Sequence, residues 1–196
     1  EGFETNAGLA YRLLKRNAGP GVTLHYQPGL QFDRGDLLAS AWSVVTGSGL
    51  DLQIQQVYGA LASRYQPGDE IFLIGYSRGA FAARSLAGLI DRVGLLRRDQ
   101  VTQRHVSLTY RHYRDGGAGL RTFAKDYCHL GVPIAAIGVW DTVKALGLRL
   151  PGLWWLFKRK YQFHNHQISA CVGAWFQALA LDETRDTYRP EMWEDT

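Results

Sequence analysis

Cysteine is nearly absent, and the two present, Cys128 and Cys171, lie at no metal-type spacing. No metal site is therefore expected, while a disulfide and a pair of free thiols both stay open. Nor is there an apolar run of the ~18 residues that a membrane-spanning helix needs, and nothing at the start reads as a signal peptide. Charge of one sign is also scarce. The net charge is +4, with Lys and Arg scattered apart from the cluster Lys158-Arg159-Lys160. That weakly favours an anionic partner and gives no pointer to nucleic acid. Internal repeats and low-complexity tracts are missing as well. The chain opens on Glu1, as expected of a fragment or processed product. What remains is 196 residues, 46% hydrophobic and 20% charged, which is one domain's worth spanning 1–196 with enough apolar content for a sizeable core.

The most informative stretch is Ile71 to Ile90, IFLIGYSRGAFAARSLAGLI. Glu70 to Gly75 is a short apolar run that reads as a buried strand, and the Ala-rich residues after it read as a helix running to about Val93 and ending at Gly94. At the junction Gly75-Tyr76-Ser77-Arg78-Gly79 fits G-x-S-x-G, the nucleophile elbow of alpha/beta hydrolases. In such an elbow a strained turn lifts the serine Oγ clear of the sheet, and glycines two positions before and after let strand and helix approach. The backbone N–H of Arg78, at the helix start, then faces a developing oxyanion. The competing reading is an ordinary strand-to-helix turn with Ser77 as a helix cap.

Upstream, Thr5 or Asn6 is expected to cap a short helix ending near Asn17-Ala18-Gly19, and Val22 to Tyr26 reads as a strand. Residues 30 to 49 read as a loop with a short helix. Leu50, Ile54, Val57, Tyr58, Leu61 and Tyr65 recur at helical spacing behind Asp51, the expected N-cap. Helix, strand, elbow and helix joined by short connections imply a mainly parallel sheet covered by helices. Arg84, on the Ala-rich face of the elbow helix, calls for an ion-pair partner if buried. Val101 to Tyr113 is a further expected helix carrying His105 and His112, which read as surface residues. Pro133 to Trp140 is a second apolar strand, and it ends on Asp141. A carboxylate just past a parallel strand shares the rim with the elbow serine. It also follows Ser77 in the order Ser, Asp, His of hydrolase triads. The alternative role for Asp141 is to cap the next turn. Residues 146 to 161, LGLRLPGLWWLFKRKY, combine Trp and Leu with basic residues, a pattern shared by interfacial anchors, apolar lids and packed loops. Ser169 to Leu181 reads as a final helix.

Several segments together resemble a known family. GYSRGAFAARSLAGLI, GVWDTV (Gly138 to Val143), Phe163-His164, ALALDE-x-R (Ala178 to Arg185) and RPEMW (Arg189 to Trp193) are similar, in order and spacing, to the alpha/beta-hydrolase domain family that includes phospholipase effectors of bacterial type VI secretion. Thr5-Asn6, Tyr26 to Gly29 and Pro67 to Leu73 extend the likeness over nearly the whole chain. The resemblance implies an alpha/beta-hydrolase fold with helices on both faces of the sheet. It also implies a serine esterase acting on lipids, with Ser77 as nucleophile and Asp141 as triad acid. Lipid or phospholipid substrate, a membrane surface and an immunity or adaptor protein are the partners it suggests, with no cofactor. The route implied is secretion without a cleavable signal, the cytoplasm being the other compartment, and fungal and bacterial members look alike at this level.

The chain departs from the family pattern in three places. No strand carrying Asp-Gly-Thr stands before Thr5, Gln177 stands where the family has histidine, and the family's base histidine falls in a Gly-rich segment after Trp193. The domain is thus expected to be cut at both ends. His164 and His166 follow Asp141 at a distance that permits a triad, yet the resemblance places the base elsewhere. A hydrolase-derived domain that binds lipid or protein without catalysis is the alternative function, and an esterase for small soluble esters is a third.

Overall fold

The computed structural model describes residues 5–28, 48–142 and 169–179. The expectations for most of residues 30–49, for 146–161, for His164 and His166 and for the motifs beyond 179 lie outside the described residues. Helix α1, Asn6–Asn17, begins where expected: Thr5 Oγ1 accepts the Gly8 N–H at 3.2 Å, and Lys15 and Arg16 stand in the last turn, where the helix end is partially negative. The strand expected over Val22 to Tyr26 is not formed. Its residues favour extended backbone, but a strand needs a partner edge, and here Tyr26 instead stacks on Tyr11 at 4.9 Å. Helix α2, Ser48–Ala62, starts ahead of Asp51. The Asp51 carboxylate stands in the first turn and accepts the Tyr110 hydroxyl at 2.8 Å.

Next come strand β1, Ile71–Tyr76, and helix α3, Arg78–Val93, the latter ending on Gly94, whose φ of 99° favours glycine. Strand β2, Leu95–Leu96, is followed by a single 3-10 turn and by helix α4, Gln103–Asp115, capped by Thr102. Helix α5, Leu120–Tyr127, occupies a stretch that reads merely as polar. Its apolar residues Leu120, Phe123, Ala124 and Tyr127 nevertheless recur at helical spacing. Strand β3, Cys128–His129, pairs antiparallel with β2. Strands β4, Ile134–Trp140, and β5, Val172–Ala178, complete a parallel sheet in the order β1-β4-β5.

Strand β5 overturns the helix expected from Ser169 to Leu181. Short apolar runs satisfy helical and extended spacing alike, and here the open edge of β4 decides. Gly173 helps, since a Cβ there would sit 3.2 Å from the carbonyl of Ala135 on β4. The result is a mixed helix and strand chain in which α3 packs on the sheet face of Leu73, Gly75, Ile137 and Val139, with α2 and α4 behind it. The opposite face carries Phe72, Ile74, Tyr76 and Phe176, all exposed. No described helix is long and apolar enough to cross a membrane.

Nearly every residue of α3 from Ala80 to Ile90 is buried, Arg84 included, and Arg84 is engaged by a partner there. The far end of α3 is fixed by Tyr58 of α2. Its hydroxyl donates to the Gly94 carbonyl at 3.0 Å and accepts the Leu96 N–H at 2.9 Å, with no exposure of the side chain. Burial raises its pKa, so it stays protonated. Tyr58→Phe leaves both backbone groups unsatisfied in the core. An expected loss of about 1–3 kcal/mol follows. Urea unfolding should show it as a lower midpoint at unchanged slope; an unmoved midpoint would mean that the pin carries no weight.

Both cysteines are free thiols, Cys128 buried and Cys171 half-buried. Burial pushes their pKa values up to about 11 and about 12, so neither is a thiolate at neutral pH.

Candidate active site

Ser77 stands between β1 and α3 with φ 54° and ψ −118°, a conformation that an L-residue adopts only under constraint. The constraint is visible on both sides. Its N–H donates to the Trp140 carbonyl on β4 at 2.9 Å, and its own carbonyl accepts the N–H groups of Ala80 at 3.1 Å and Phe81 at 3.3 Å. Its side chain makes no capping hydrogen bond, so Ser77 is a cap by position and not by chemistry. The hydroxyl is thereby spared for something other than the helix end.

The two motif glycines differ. A Cβ on Gly75 would lie 2.5 Å from the Gly79 carbonyl oxygen and 2.6 Å from Ala80 Cα, so strand and helix meet only because Gly75 has none. A Cβ on Gly79 would meet nothing within 4 Å among the described residues. The expectation that both glycines serve close approach holds for Gly75 alone.

Asp141 terminates β4 with φ 44°, the only other non-glycine at positive φ among the described residues. Aspartate tolerates this region better than most residues. Its N–H donates to the Ala178 carbonyl of β5 at 3.0 Å. Because Tyr76 pairs with Trp140 in parallel register, Ser77 and Asp141 leave the same ends of neighbouring strands, about 5 Å apart in such a sheet. The sequence-expected pair therefore shares one rim. The turn that Asp141 is alternatively expected to cap lies outside the described residues. Arg78 opens α3 beside them, half-buried, and its N–H belongs to the first turn, where no intrahelical acceptor exists. Thr142, fully buried next to Asp141, is not marked out by the sequence although it stands within GVWDTV.

The described histidines are engaged elsewhere. His105 Nδ1 lies 2.8 Å from the Gln100 carbonyl, and its ring packs at 4.7 Å from that of Tyr127. His112 faces Phe123 at 5.0 Å, and His129 meets the edge of Tyr65 at 5.6 Å. His129 also pairs with Leu95 just past the carboxyl end of α3, a helix length of roughly 24 Å from Ser77. His25 is exposed on an irregular segment.

Strain at Ser77 yields a prediction about stability alone. Glycine accepts this backbone without penalty, whereas serine held there costs roughly 1–3 kcal/mol. After subtracting the extra chain entropy of glycine, Ser77→Gly should stabilise the fold by about 1 kcal/mol, or a Tm rise of roughly 2–4 °C. A lower Tm in calorimetry would show that the turn is relaxed as it stands.

A strained serine at a strand-to-helix turn, beside a strand-end aspartate on the next parallel strand, defines a candidate hydrolytic site on a mixed α/β scaffold. The model of the family described as "T6SS, Phospholipase effector Tle1-like, catalytic domain" matches residues 1–196, and the chain belongs to that family. An uncharacterized protein of Saccharomyces cerevisiae, YEL023C, is 29% identical over 213 residues, covering 94% of this chain and 29% of that relative. The chain thus spans under a third of the length of that relative. No solved structure matches this chain.

Proposed function

We propose that residues 1–196 are the incomplete part of a single alpha/beta-hydrolase domain that hydrolyses phospholipid esters by way of an acyl-enzyme on Ser77. The observation that carries the reading is the backbone of Ser77 at φ 54° with its side chain unused for capping. Membership of a phospholipase effector family supplies the substrate class. A serine hydroxyl is a weak nucleophile and needs a base, which in this reading is a histidine from outside the described residues. The histidine takes the Ser77 proton as Oγ bonds to the ester carbonyl carbon, then returns it to the departing alcohol. Water, deprotonated by the same histidine, next splits the acyl-serine bond and releases the fatty acid. Asp141 orients the imidazole and balances its charge, while the Arg78 N–H holds the oxyanion at each tetrahedral stage.

The test is labelling with a fluorophosphonate probe, applied to this chain and to a product extended past residue 196, with the labelled peptide mapped. Adduct on Ser77, together with fatty acid released from phospholipid vesicles, supports the proposal. A folded product that neither labels nor releases fatty acid would overturn it. The second reading, a binding domain without catalysis, draws on Gln177. This residue stands where the resemblance places a histidine other than the base, and it lies on β5 opposite Val139, one position before the Ala178 that receives the Asp141 N–H.

A further inference from the structure

Helix α1 turns one side to the protein and carries leucines on the other. Ala7 and Tyr11 are half-buried and Gly8 is buried, and α1 meets β1. Leu9, Arg12, Leu13 and Arg16 stand at i, i+3, i+4 and i+7, so they share the face turned away from Ala7 and Tyr11. Leu9 is 41% exposed, Leu13 50% and Leu14 42%. One exposed leucine is ordinary on a protein surface, but three on a helix of 12 residues are apolar area that the fold leaves unused. The charge of this region is equally one-sided. Arg12, Lys15 and Arg16 are the charged residues of the whole segment 5–28, with no Asp or Glu among them. Lys15 and Arg16 suit the negative end of the helix, a reason that does not extend to Arg12 or to the leucines. Polar helix formers would hold α1 as well at the outward positions, so stability does not call for leucine there. Leucines interleaved with long cationic side chains on one helix face match a surface that is anionic at the top and apolar beneath.

From this combination of outward leucines and charge of one sign, we infer that the face of α1 bearing Leu9, Arg12, Leu13 and Arg16 docks on an anionic phospholipid surface. The inference rests on the proposed phospholipase reading and names the surface at which that site works. With α1 lying in the plane of the surface, the leucines enter the boundary of the acyl chains. The cationic heads stay at the lipid phosphates, because their long stems reach back up. Each cation near an anionic leaflet is worth roughly fivefold in binding.

The experiment is co-sedimentation with phosphatidylcholine vesicles, with and without phosphatidylserine, of the longest product containing this domain. The product carries Ser77→Ala so that lipid is not consumed. It should bind the phosphatidylserine vesicles, and less so as salt rises. Lys15→Gln with Arg16→Gln should weaken that binding roughly 30-fold. Leu9→Ala with Leu13→Ala should weaken it roughly tenfold. Both pairs should leave Tm unchanged, since alanine and glutamine keep the helix. Arg98→Gln with Arg104→Gln removes the same charge from exposed positions outside α1 and should change binding by less than about twofold. A product that does not bind overturns the inference and gives the face to a protein or to another segment. Equal losses in the two charge pairs overturn it too, because the attraction then follows net charge. So does binding that is indifferent to the leucines, or a fall in Tm on their removal, which would show that they pack within the fold. Fluorophosphonate labelling of the product with Ser77 intact is read in parallel. Vesicle binding without labelling removes the hydrolase reading alone, and labelling without vesicle binding removes this inference alone.

Discussion

Ser77→Ala is expected to lower phospholipid hydrolysis by roughly 10⁴-fold or more and to abolish fluorophosphonate labelling, while leaving the unfolding free energy within about 0.5 kcal/mol of the parent. The size of the rate loss follows from chemistry, since without Oγ there is no atom to carry the acyl group. The small stability change follows from this structure. The hydroxyl makes no capping bond, and the contacts that hold residue 77 in place are made by its backbone N–H and carbonyl. Alanine keeps those contacts and the same strained turn. Asp141→Asn makes a useful companion, because asparagine also tolerates the φ of 44° and preserves the strand end. In the proposed mechanism it removes the negative charge that balances the imidazolium and swaps one acceptor oxygen for an NH2 donor, so a loss of roughly 10²–10⁴ in kcat with little change in KM is expected. If Ser77→Ala unfolds the protein instead, the serine is structural and the acyl-enzyme mechanism loses its basis.

Much of this was legible in the sequence for a physical reason. Ile71 to Val93 changes abruptly from a β-favouring run to an Ala-rich helical one, and Ser77 sits at the break, so local chemistry and tertiary role coincide. The same holds for Thr5 and α1, and for the strand that delivers Asp141 to the rim. Legibility failed where the outcome depends on a distant edge. Val172 to Ala178 is extended because β4 offers it a parallel partner, and nothing within the segment itself encodes that edge. Val22 to Tyr26 is the converse, residues of β-favouring type that find no edge among the described residues. Thr142 escaped for another reason: burial is a property of the packed state, and a threonine beside an aspartate looks the same in a solvated turn. The glycines of the elbow show the limit of a motif, which gives the residue type at each position but not what that type is for.

Those glycines carry the second large prediction. Gly75→Ala should destabilise the fold by about 3 kcal/mol or more, and Gly79→Ala should be neutral or stabilise it by up to about 1 kcal/mol. The added methyl at residue 75 would lie 2.5 Å from the Gly79 carbonyl oxygen, 2.6 Å from Ala80 Cα and 2.7 Å from Ala80 N. All three are backbone atoms of the first turn of α3, so no side chain can swing aside, and either β1 or α3 has to shift. Both elements are hemmed in: α3 is buried along most of its length, and β1 is held by its pairing with β4. Because Ser77 lies between them, the shift also displaces its Oγ, and a displacement near 1 Å costs roughly 10²-fold in rate. Residue 79 differs in that no atom of the described residues lies within 4 Å of its would-be Cβ and the residue is helical, where alanine outperforms glycine. Urea unfolding of the two variants side by side separates the cases. Opposite signs mean that the first glycine enforces strand-to-helix contact while the second is a tolerated small residue in this chain. Equal losses would mean that residue 79 also sits against a neighbour, and that the first turn of α3 lies closer to the sheet than the open space around Gly79 implies.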